Sequence, residues 1–185
     1  MQKAAFFLLL AAFSSCSLKY DENSSGAESS PELEFRGADY KKYEEKKVSA
    51  EIQADVLEQY RDSSSYAKNA RFKTWSPDGG ILTEGQCGLL GISGGEKNYT
   101  LFDEISIDNT EQDFKIKAES LKWNSETRQL VSTEDGNVTV SRSGIEIQGS
   151  GFSASGASKS FEFANPVTGT ITTSSEENTG ENLSE

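Results

Sequence analysis

Hydrophobic and polar residues alternate with a period of two along the middle of the chain. Val48, Ala50, Ile52, Ala54 and Val56 occupy every second position, and Ser, Glu, Gln and Asp stand between them. Successive side chains of a β-strand point to opposite faces, so this spacing places the apolar set on one face of an extended strand. The same alternation recurs at 114–118, 138–141 and 145–148. The pattern therefore predicts several strands, each with one apolar face.

Turn-forming residues separate these segments. The clearest run is Ser-Pro-Asp-Gly-Gly at 76–80, in which Pro, Asp and Gly each favour a chain reversal. Gly149 and Gly151 flank Ser150 at another junction, where we expect either a bend or a close approach of backbone or ligand. Besides 48–56, strands are predicted at 70–74, 81–92, 99–107, 114–123, 129–132, 137–142, 145–149, 160–163 and 167–172. Antiparallel strands at this spacing, with no core helix, predict an all-β sandwich or roll.

The composition narrows the range of functions. The 185 residues include 18 basic and 30 acidic side chains, giving a net charge of −12, and no segment gathers Lys and Arg, so nucleic acid is not an expected partner. The chain has no histidine, which excludes serine triads and histidine-ligated zinc sites. The carboxylates are scattered over polar faces and turns, where solvation is their ordinary role. We therefore expect neither an enzyme nor a metal or cofactor site.

Residues 1–15 have the layout of a signal peptide. Lys3 supplies a positive charge, 4–13 is a run of apolar residues, and two serines precede Cys16. A membrane-spanning helix needs about 20 apolar residues, twice the length of this run. The segment is similar to a bacterial lipobox, although Phe13 replaces the usual Leu, so we expect cleavage before Cys16 and lipidation of its thiol. The alternative is an ordinary secretory signal in which Cys16 is incidental.

The rest of the chain divides into three parts. Residues 16–47 mix Ser, Glu, Lys, Gly and Tyr without an apolar period and are predicted to be the lipidated cysteine and a flexible tether. Residues 48–172 carry the strands, and 173–185 are predicted to be a disordered acidic tail. Once the Cys16 thiol carries a lipid, Cys87 is the only remaining thiol, so no intramolecular disulfide is expected and Cys87 is predicted to be a small core residue.

Several of these strands resemble the LptC family of lipopolysaccharide-transport proteins. The similarity lies in Ala-Glu-Ser-Leu-Lys-Trp-Asn at 118–124, Gly-Asn-Val-Thr-Val at 136–140 and Gly-Ile-Glu-Ile-Gln-Gly-Ser-Gly-Phe-Ser-Ala at 144–154. Residues 50–56 resemble the opening strand of the family, and 70–82 resemble the hairpin that follows it. The resemblance implies that 48–172 fold as an open antiparallel β-jellyroll of the LptC and LptA kind.

The resemblance also implies a function without chemistry. The protein would be a periplasmic component of an export bridge for lipopolysaccharide or a related glycolipid, and would hold the acyl chains in an apolar groove. Its protein partners would be inner-membrane ABC-transporter subunits with periplasmic jellyrolls and an LptA-like bridge protein. A lipid on Cys16 would attach the protein to a membrane, and the resemblance implies that this is the inner membrane. Better-known members of the family keep a membrane helix in place of such a lipid.

The inward positions of the predicted strands are the candidates for acyl-chain contact. An acidic chain repels a phosphorylated glycolipid, so affinity must come from the tails, at about 25 cal/mol per Å² of buried apolar surface. The candidates are Ile52, Ala54, Val56, Phe72, Ile105, Ile116, Ala118, Val138, Val140, Ile147 and Phe152. For each of them plain core packing is the alternative. For the whole chain, the alternative is a β-rich structural or surface-binding lipoprotein whose core is filled by its own side chains.

Overall fold

The computed structural model describes residues 30–93 and 95–172, which form twelve antiparallel β-strands. The signal peptide, Cys16 and the predicted tail at 173–185 lie outside the described residues. Within the described residues, no helix is long and apolar enough to span a membrane. The strands are β1 (Leu33–Glu44), β2 (Lys47–Gln59), β3 (Ser65–Trp75), β4 (Ile81–Ser93), β5 (Asn98–Asn109), β6 (Phe114–Asn124), β7 (Gln129–Ser132), β8 (Val138–Arg142), β9 (Ile145–Gly149), β10 (Phe152–Ser155), β11 (Ser160–Phe163) and β12 (Thr168–Ile171).

The first six strands form a meander in which each strand pairs with the next. Two shorter ladders then share β6. The amino-terminal part of β6 pairs with β8, which is followed across the sheet by β9 and β12. The carboxyl-terminal part pairs with β7, which is followed by β10 and β11. The sheet is therefore continuous from β1 to β6 and divides into two arms beyond it.

The predicted strands agree closely with the observed ones. Those at 129–132, 145–149 and 160–163 have the predicted bounds, and five others differ by no more than two residues at either end. The largest difference is at β3, which begins five residues before the predicted start at Ala70. The sequence pattern misses β10, because only two residues separate it from β9 although the chain changes ladder there.

A strand occupies part of the segment that the sequence predicts to be a tether. β1 pairs with β2 along its whole length, so the prediction of a tether over 16–47 is wrong from Leu33 onward. The strand predicted at 48–56 is consequently the second strand and not the opening one. The alternation of β1 is interrupted at Gly37, whose φ is +62°, and most of its side chains are exposed at the sheet edge. Pairing with β2 rather than an apolar pattern defines this strand.

A line of irregular residues crosses β1 to β6. In β2, β3, β4 and β6 the inward-facing residues on either side of this line are three apart instead of two, as are Ala67 and Ala70 in β3. β5 has one extra residue here, and Asp103 and Glu104 take φ angles of +65° and +48°. We call this line the crease, and it comprises Gly37, Asp55, Asn69, Gly88, Asp103, Glu104 and Glu119. Irregularities of this kind bend strands and shift the alternation of faces beyond them.

The crease divides the sheet into two halves. The first half contains 33–36 of β1, 120–124 of β6, and β7, β10 and β11. The second half contains 38–44 of β1, 114–118 of β6, and β8, β9 and β12. One hydrophobic cluster includes both halves; its buried members are Ala54, Ala67, Ala70, Cys87, Leu90, Leu101, Ile105, Ile107, Ile116, Leu121, Val138, Val140 and Phe152. Each half therefore covers the other, and Cys87 is the core residue that the sequence predicts.

The junction at Gly149 and Gly151 is a bend between the halves. β9 of the second half ends at Gly149, and β10 of the first half begins at Phe152. Gly151 has a φ of +67°, and a Cβ atom there would lie 2.8 Å from Cβ of Ala164. A glycine suits this position because it accepts the left-handed conformation and the close approach of a neighbouring segment.

Candidate functional site

The second half of the sheet carries a row of mostly apolar residues, which we call the inward row. It consists of cross-strand partners, one from each of seven neighbouring strands. From β2 to β9 they are Ile52, Phe72, Gly85, Ile107, Ile116, Val140 and Ile147. The structure therefore brings five of the predicted acyl-contact residues into a single line across the sheet.

The other predicted candidates lie near the crease or beyond it. Those beside the crease are Ala54, Ile105 and Ala118. Val138 stands opposite Ala118 and is 0% exposed. Phe152 comes from β10 in the first half, and its ring centroid lies 5.4 Å from that of Phe163. Nine of the eleven predicted residues belong to the hydrophobic cluster or pack against it, and Ile147 is half-buried at the end of the inward row.

Val56 belongs to the opposite face, contrary to the prediction. Its cross-strand partners are Arg36 and Lys68, and it does not belong to the hydrophobic cluster, whereas Leu57 packs against that cluster. The crease passes through Asp55 and shifts the alternation by one residue, so a regular period of two assigns the wrong face to the end of β2. Leu57 therefore takes the inward position predicted for Val56.

The hydrophobic pattern did not predict the inward residues of the first half. Ala67 and Leu121 among them are each 0% exposed, whereas Phe35 at the edge of the sheet is 49% exposed. They form a second row of cross-strand partners, which comprises Phe35, Leu57, Ala67, Leu90, Leu101 and Leu121. A change of hydrophobic spacing within one strand, such as the three residues from Ala118 to Leu121, is the signal that could have found them. The interior thus has apolar walls from both halves.

Buried side chains of both halves pack together between the walls: Ile116 and Val138 of the second half and Leu121 of the first are each at most 1% exposed. Within the described residues, a pocket of about 320 Å³ lies beside Arg142 and Glu146, and another of about 250 Å³ lies beside Trp123. Both pockets are at strand ends and outside the inward row. An acyl chain would therefore need the two halves to move apart before it could reach the interior.

Tyr40, Lys42 and Glu96 join the two halves on the side opposite the crease, which we call the mouth. The Tyr40 hydroxyl donates a 2.8 Å hydrogen bond to Oε1 of Glu96, and Nζ of Lys42 lies 3.2 Å from Oε2. Tyr40 stands opposite Ile52 in the second half, whereas Glu96 follows β4 at the far end of the first half. In a flat sheet these levels would be roughly 25 Å apart. The contact exists because the sheet is folded, and we call these three residues the first clasp.

A second contact crosses the mouth near the other edge of the sheet. Nζ of Lys159, between β10 and β11, lies 2.9 Å from Oε1 of Glu111, between β5 and β6. These two turns lie beyond opposite ends of β6, which would separate them by roughly 33 Å in a flat sheet. We call Glu111 and Lys159 the second clasp. The mouth is therefore bridged at two separate places.

The electrostatics of the first clasp follow from its geometry. The hydrogen bond to Glu96 raises the pKa of Tyr40 to about 12. The same hydrogen bond, assisted by Lys42, holds the pKa of Glu96 below its usual value. Glu96 is thus an ionised acceptor with one donor on each carboxylate oxygen, an arrangement stronger than a hydrogen bond between neutral groups.

The chemical groups of the interior are unreactive. Burial raises the pKa of the Cys87 thiol to about 11, so this cysteine stays protonated and is a poor nucleophile at neutral pH. Among the residues that the structure describes, no three Asp, Glu or Cys side chains are grouped to hold a metal ion. What the interior offers a ligand is apolar surface.

Comparisons with known proteins agree with this architecture. A family model described as lipopolysaccharide-assembly, LptC-related, matches residues 4–172. Among curated proteins, none matches the chain. A similar solved structure is the crystal structure of LptH, the LptA homologous periplasmic component of the conserved lipopolysaccharide transport device from Pseudomonas aeruginosa. It is 10% identical, has a TM-score of 0.53, and the match covers 67% of this chain and 95% of that one. At this identity the likeness shows the fold, and it confirms the predicted open antiparallel β-jellyroll.

Proposed function

Because the chain belongs to the LptC-related family of lipopolysaccharide-assembly proteins, we propose that it holds the acyl chains of lipopolysaccharide or a related glycolipid between the two halves of its jellyroll. In this proposal the protein catalyses no reaction. It receives the lipid from an inner-membrane ABC transporter and passes it to the next protein of a periplasmic bridge.

The inward row is the observation that carries the proposal. Seven strands contribute one residue each, and six of these residues are Ile, Phe or Val. Acyl chains laid across such a surface gain about 25 cal/mol for each Å² of apolar area removed from water. The net charge of −12 disfavours a phosphorylated headgroup, so the tails rather than the headgroup supply the affinity.

The free edges of the sheet are the proposed contacts with other jellyrolls. Within the described residues, β1 pairs on one side only, and so do β11 and β12 at the far side of the sheet. Unpaired strand edges add partner strands through main-chain hydrogen bonds. We therefore propose that one edge joins a periplasmic jellyroll of the transporter and that the other joins an LptA-like bridge protein.

The proposed anchor is a lipid on Cys16. The signal peptide would be removed before this residue, and the acylated cysteine would attach the protein to the periplasmic side of a membrane, which we propose is the inner membrane. The anchor would replace the membrane helix of better-known members of the family. In this arrangement Cys16 attaches the protein to the membrane, and the jellyroll binds the transported lipid.

A photo-reactive amino acid at residue 72 tests the proposal. Phe72 is half-buried on the inward row, so an aromatic crosslinker can replace it with little disturbance. Phe102, an exposed aromatic residue in line with outward-facing Leu89, is the matched control. On irradiation of intact cells we expect the glycolipid to be captured from position 72 and not from position 102.

The closed interior favours a second candidate, a structural or surface-binding lipoprotein whose core is filled by its own side chains. Deeply buried residues such as Val138 and Ile116 are what this candidate requires. If position 72 captures no glycolipid while the protein is folded and at its usual membrane, the transport proposal is wrong and this alternative takes its place.

A further inference from the structure

The first clasp lies between the proposed binding interior and the solvent. Tyr40 projects from β1 and Glu96 from the turn after β4, so their contact closes the mouth next to the β1 edge. The second clasp closes the mouth near the opposite edge. Since buried side chains of both halves pack together in one cluster, the folded sheet has a closed form, which the two clasps favour.

A glycolipid cannot be enclosed completely by this roll. Its sugars and phosphates are polar and charged, and their transfer into an apolar interior without partners is strongly unfavourable. The headgroup must therefore remain in water while the tails lie inside. The tails can enter the interior with the headgroup outside only through the mouth, because the crease side is closed by continuous strands from β1 to β6.

We propose that the first clasp is a gate, and that Tyr40 and Lys42 must release Glu96 before an acyl chain can enter between the halves. The inference rests on the proposed function and adds a control step to it. A lipid could instead slide in from the end of the roll, passed along by a partner at the β1 edge. Its headgroup would then have to move past Tyr40, so this route requires the same release of Glu96.

The strength of the clasp suits a reversible step. The side chains of Lys42 and Glu96 are both 40% exposed, and exposed ion pairs are individually weak because water and salt screen them. The second clasp is more exposed, at 60% for Lys159 and 50% for Glu111. Contacts of this kind favour the closed form without locking it.

Crosslinking across the mouth tests the gate. In the full-length chain with Cys16→Ser and Cys87→Ala, cysteines would be placed at positions 40 and 96 and joined with a bis-maleimide whose spacer contains a reducible bond. The control is the same chemistry at positions 97 and 126. Lys97 and Glu126 form an exposed 2.7 Å pair between two turns of the first half, so their contact does not span the mouth. Uptake of lipopolysaccharide with a fluorophore on its sugar would be measured before and after reduction.

The expected result is loss of uptake in the 40–96 crosslinked chain, recovery after reduction, and unchanged uptake in the 97–126 chain. Equal uptake by the 40–96 chain with and without the crosslink would overturn the gate and leave the proposed function intact. Absence of lipopolysaccharide binding by the uncrosslinked chain would overturn the proposed function, and the gate with it.

Opening variants provide an independent measurement. Tyr40→Phe together with Lys42→Gln removes both donors to Glu96, whereas Lys97→Gln removes the control pair. We expect the first variant to bind labelled lipopolysaccharide about two- to fivefold more tightly, the factor that corresponds to loss of an exposed pair in the closed form. Unchanged or weaker binding by a normally folded Tyr40 and Lys42 variant would contradict the gate.

Discussion

The ring of Phe72 lies across the backbone of Gly85, its partner in the neighbouring strand. A Cβ atom on residue 85 would lie 2.5 Å from Cζ of the ring and 2.7 Å from the carbonyl oxygen of Ser106. Cβ atoms do not approach non-bonded atoms this closely, so the glycine makes the space that the aromatic side chain occupies. The apolar surface of the inward row is therefore continuous across β4, because the Phe72 ring of β3 covers the position where Gly85 has no side chain.

We therefore expect Gly85→Ala to destabilise the protein. The added methyl group must displace both a ring and a backbone oxygen, and overpacking of this kind costs about 1–3 kcal/mol. Urea unfolding would measure the change. Gly80→Ala is the control, because the nearest atom to its added Cβ is Ser76 Oγ at 3.7 Å. Equal stability of the two variants would show that Phe72 moves aside freely.

The shift of alternation at the crease predicts opposite behaviour of two adjacent residues. Leu57→Ala removes contacts with the hydrophobic cluster, and we expect a loss of about 1–2 kcal/mol, less than for a fully buried leucine. Val56→Ala removes a side chain from the other face, and we expect a change within about 0.5 kcal/mol. Chemical denaturation would rank the variants. A larger effect at Val56 would mean that β2 keeps a regular period of two.

Tyr40 should titrate at unusually high pH. Its phenol is expected to ionise at about pH 12, and Glu96→Gln should bring this value back towards the ordinary value of about 10. Phenolate absorbance of the wild type minus that of Tyr40→Phe isolates this group. Because the folded pKa is raised, its contribution to stability is present below about pH 10 and is lost as the pH rises to about 12.

At low pH the stability contribution of the first clasp depends on the ionisation of Glu96 and is lost as the pH falls. The pKa of Glu96 is lowered in the folded protein, so its contribution is present above its ordinary value of about 4.5 and is lost as the pH falls through the lower folded value. A Glu96→Gln variant should therefore lose less stability on acidification than the wild type. Parallel acid-unfolding curves for the two proteins would contradict the assignment.

Cys87 should resist thiol reagents in the folded protein. In a Cys16→Ser chain it is the one remaining thiol, it is buried, and its pKa is raised to about 11. We expect slow reaction with a disulfide reagent at about pH 8, since the thiolate is the reactive form, and rapid reaction in denaturant. Fast reaction of the native chain would show that the interior opens readily without ligand.

The proposed anchor predicts a change of location. Replacement of residues 1–15 and Cys16 by a cleavable secretory signal should release the protein from the membrane fraction, because acyl chains on Cys16 provide the attachment in our proposal. Cys87→Ala should leave the attachment unchanged. The released protein should still bind lipopolysaccharide, and loss of binding by the folded soluble form would show that anchor and binding interior are not separable.

Apart from β1, the sequence alone determined which segments of the second half are strands and most of the residues that face inward. Alternation in strands such as β8 and β9 is a local property, because neighbouring side chains of an extended chain point to opposite faces whatever the rest of the molecule does. The missing histidine likewise narrowed the function without any knowledge of the fold. The motifs at 118–124, 136–140 and 144–154 were sufficient for recognition of the family.

The tertiary structure alone decided the rest. β1 exists because β2 offers it main-chain hydrogen bonds, and its own residues show no sustained alternation. The crease exchanged the roles of Val56 and Leu57, since an interruption of pairing depends on how neighbouring strands meet rather than on either strand alone. Tyr40 and Glu96 are 56 residues apart in sequence, and only a sheet folded on itself brings them within hydrogen-bonding distance. Local periodicity specifies strands and faces, whereas pairing across the sheet and its folding at the crease specify which faces meet.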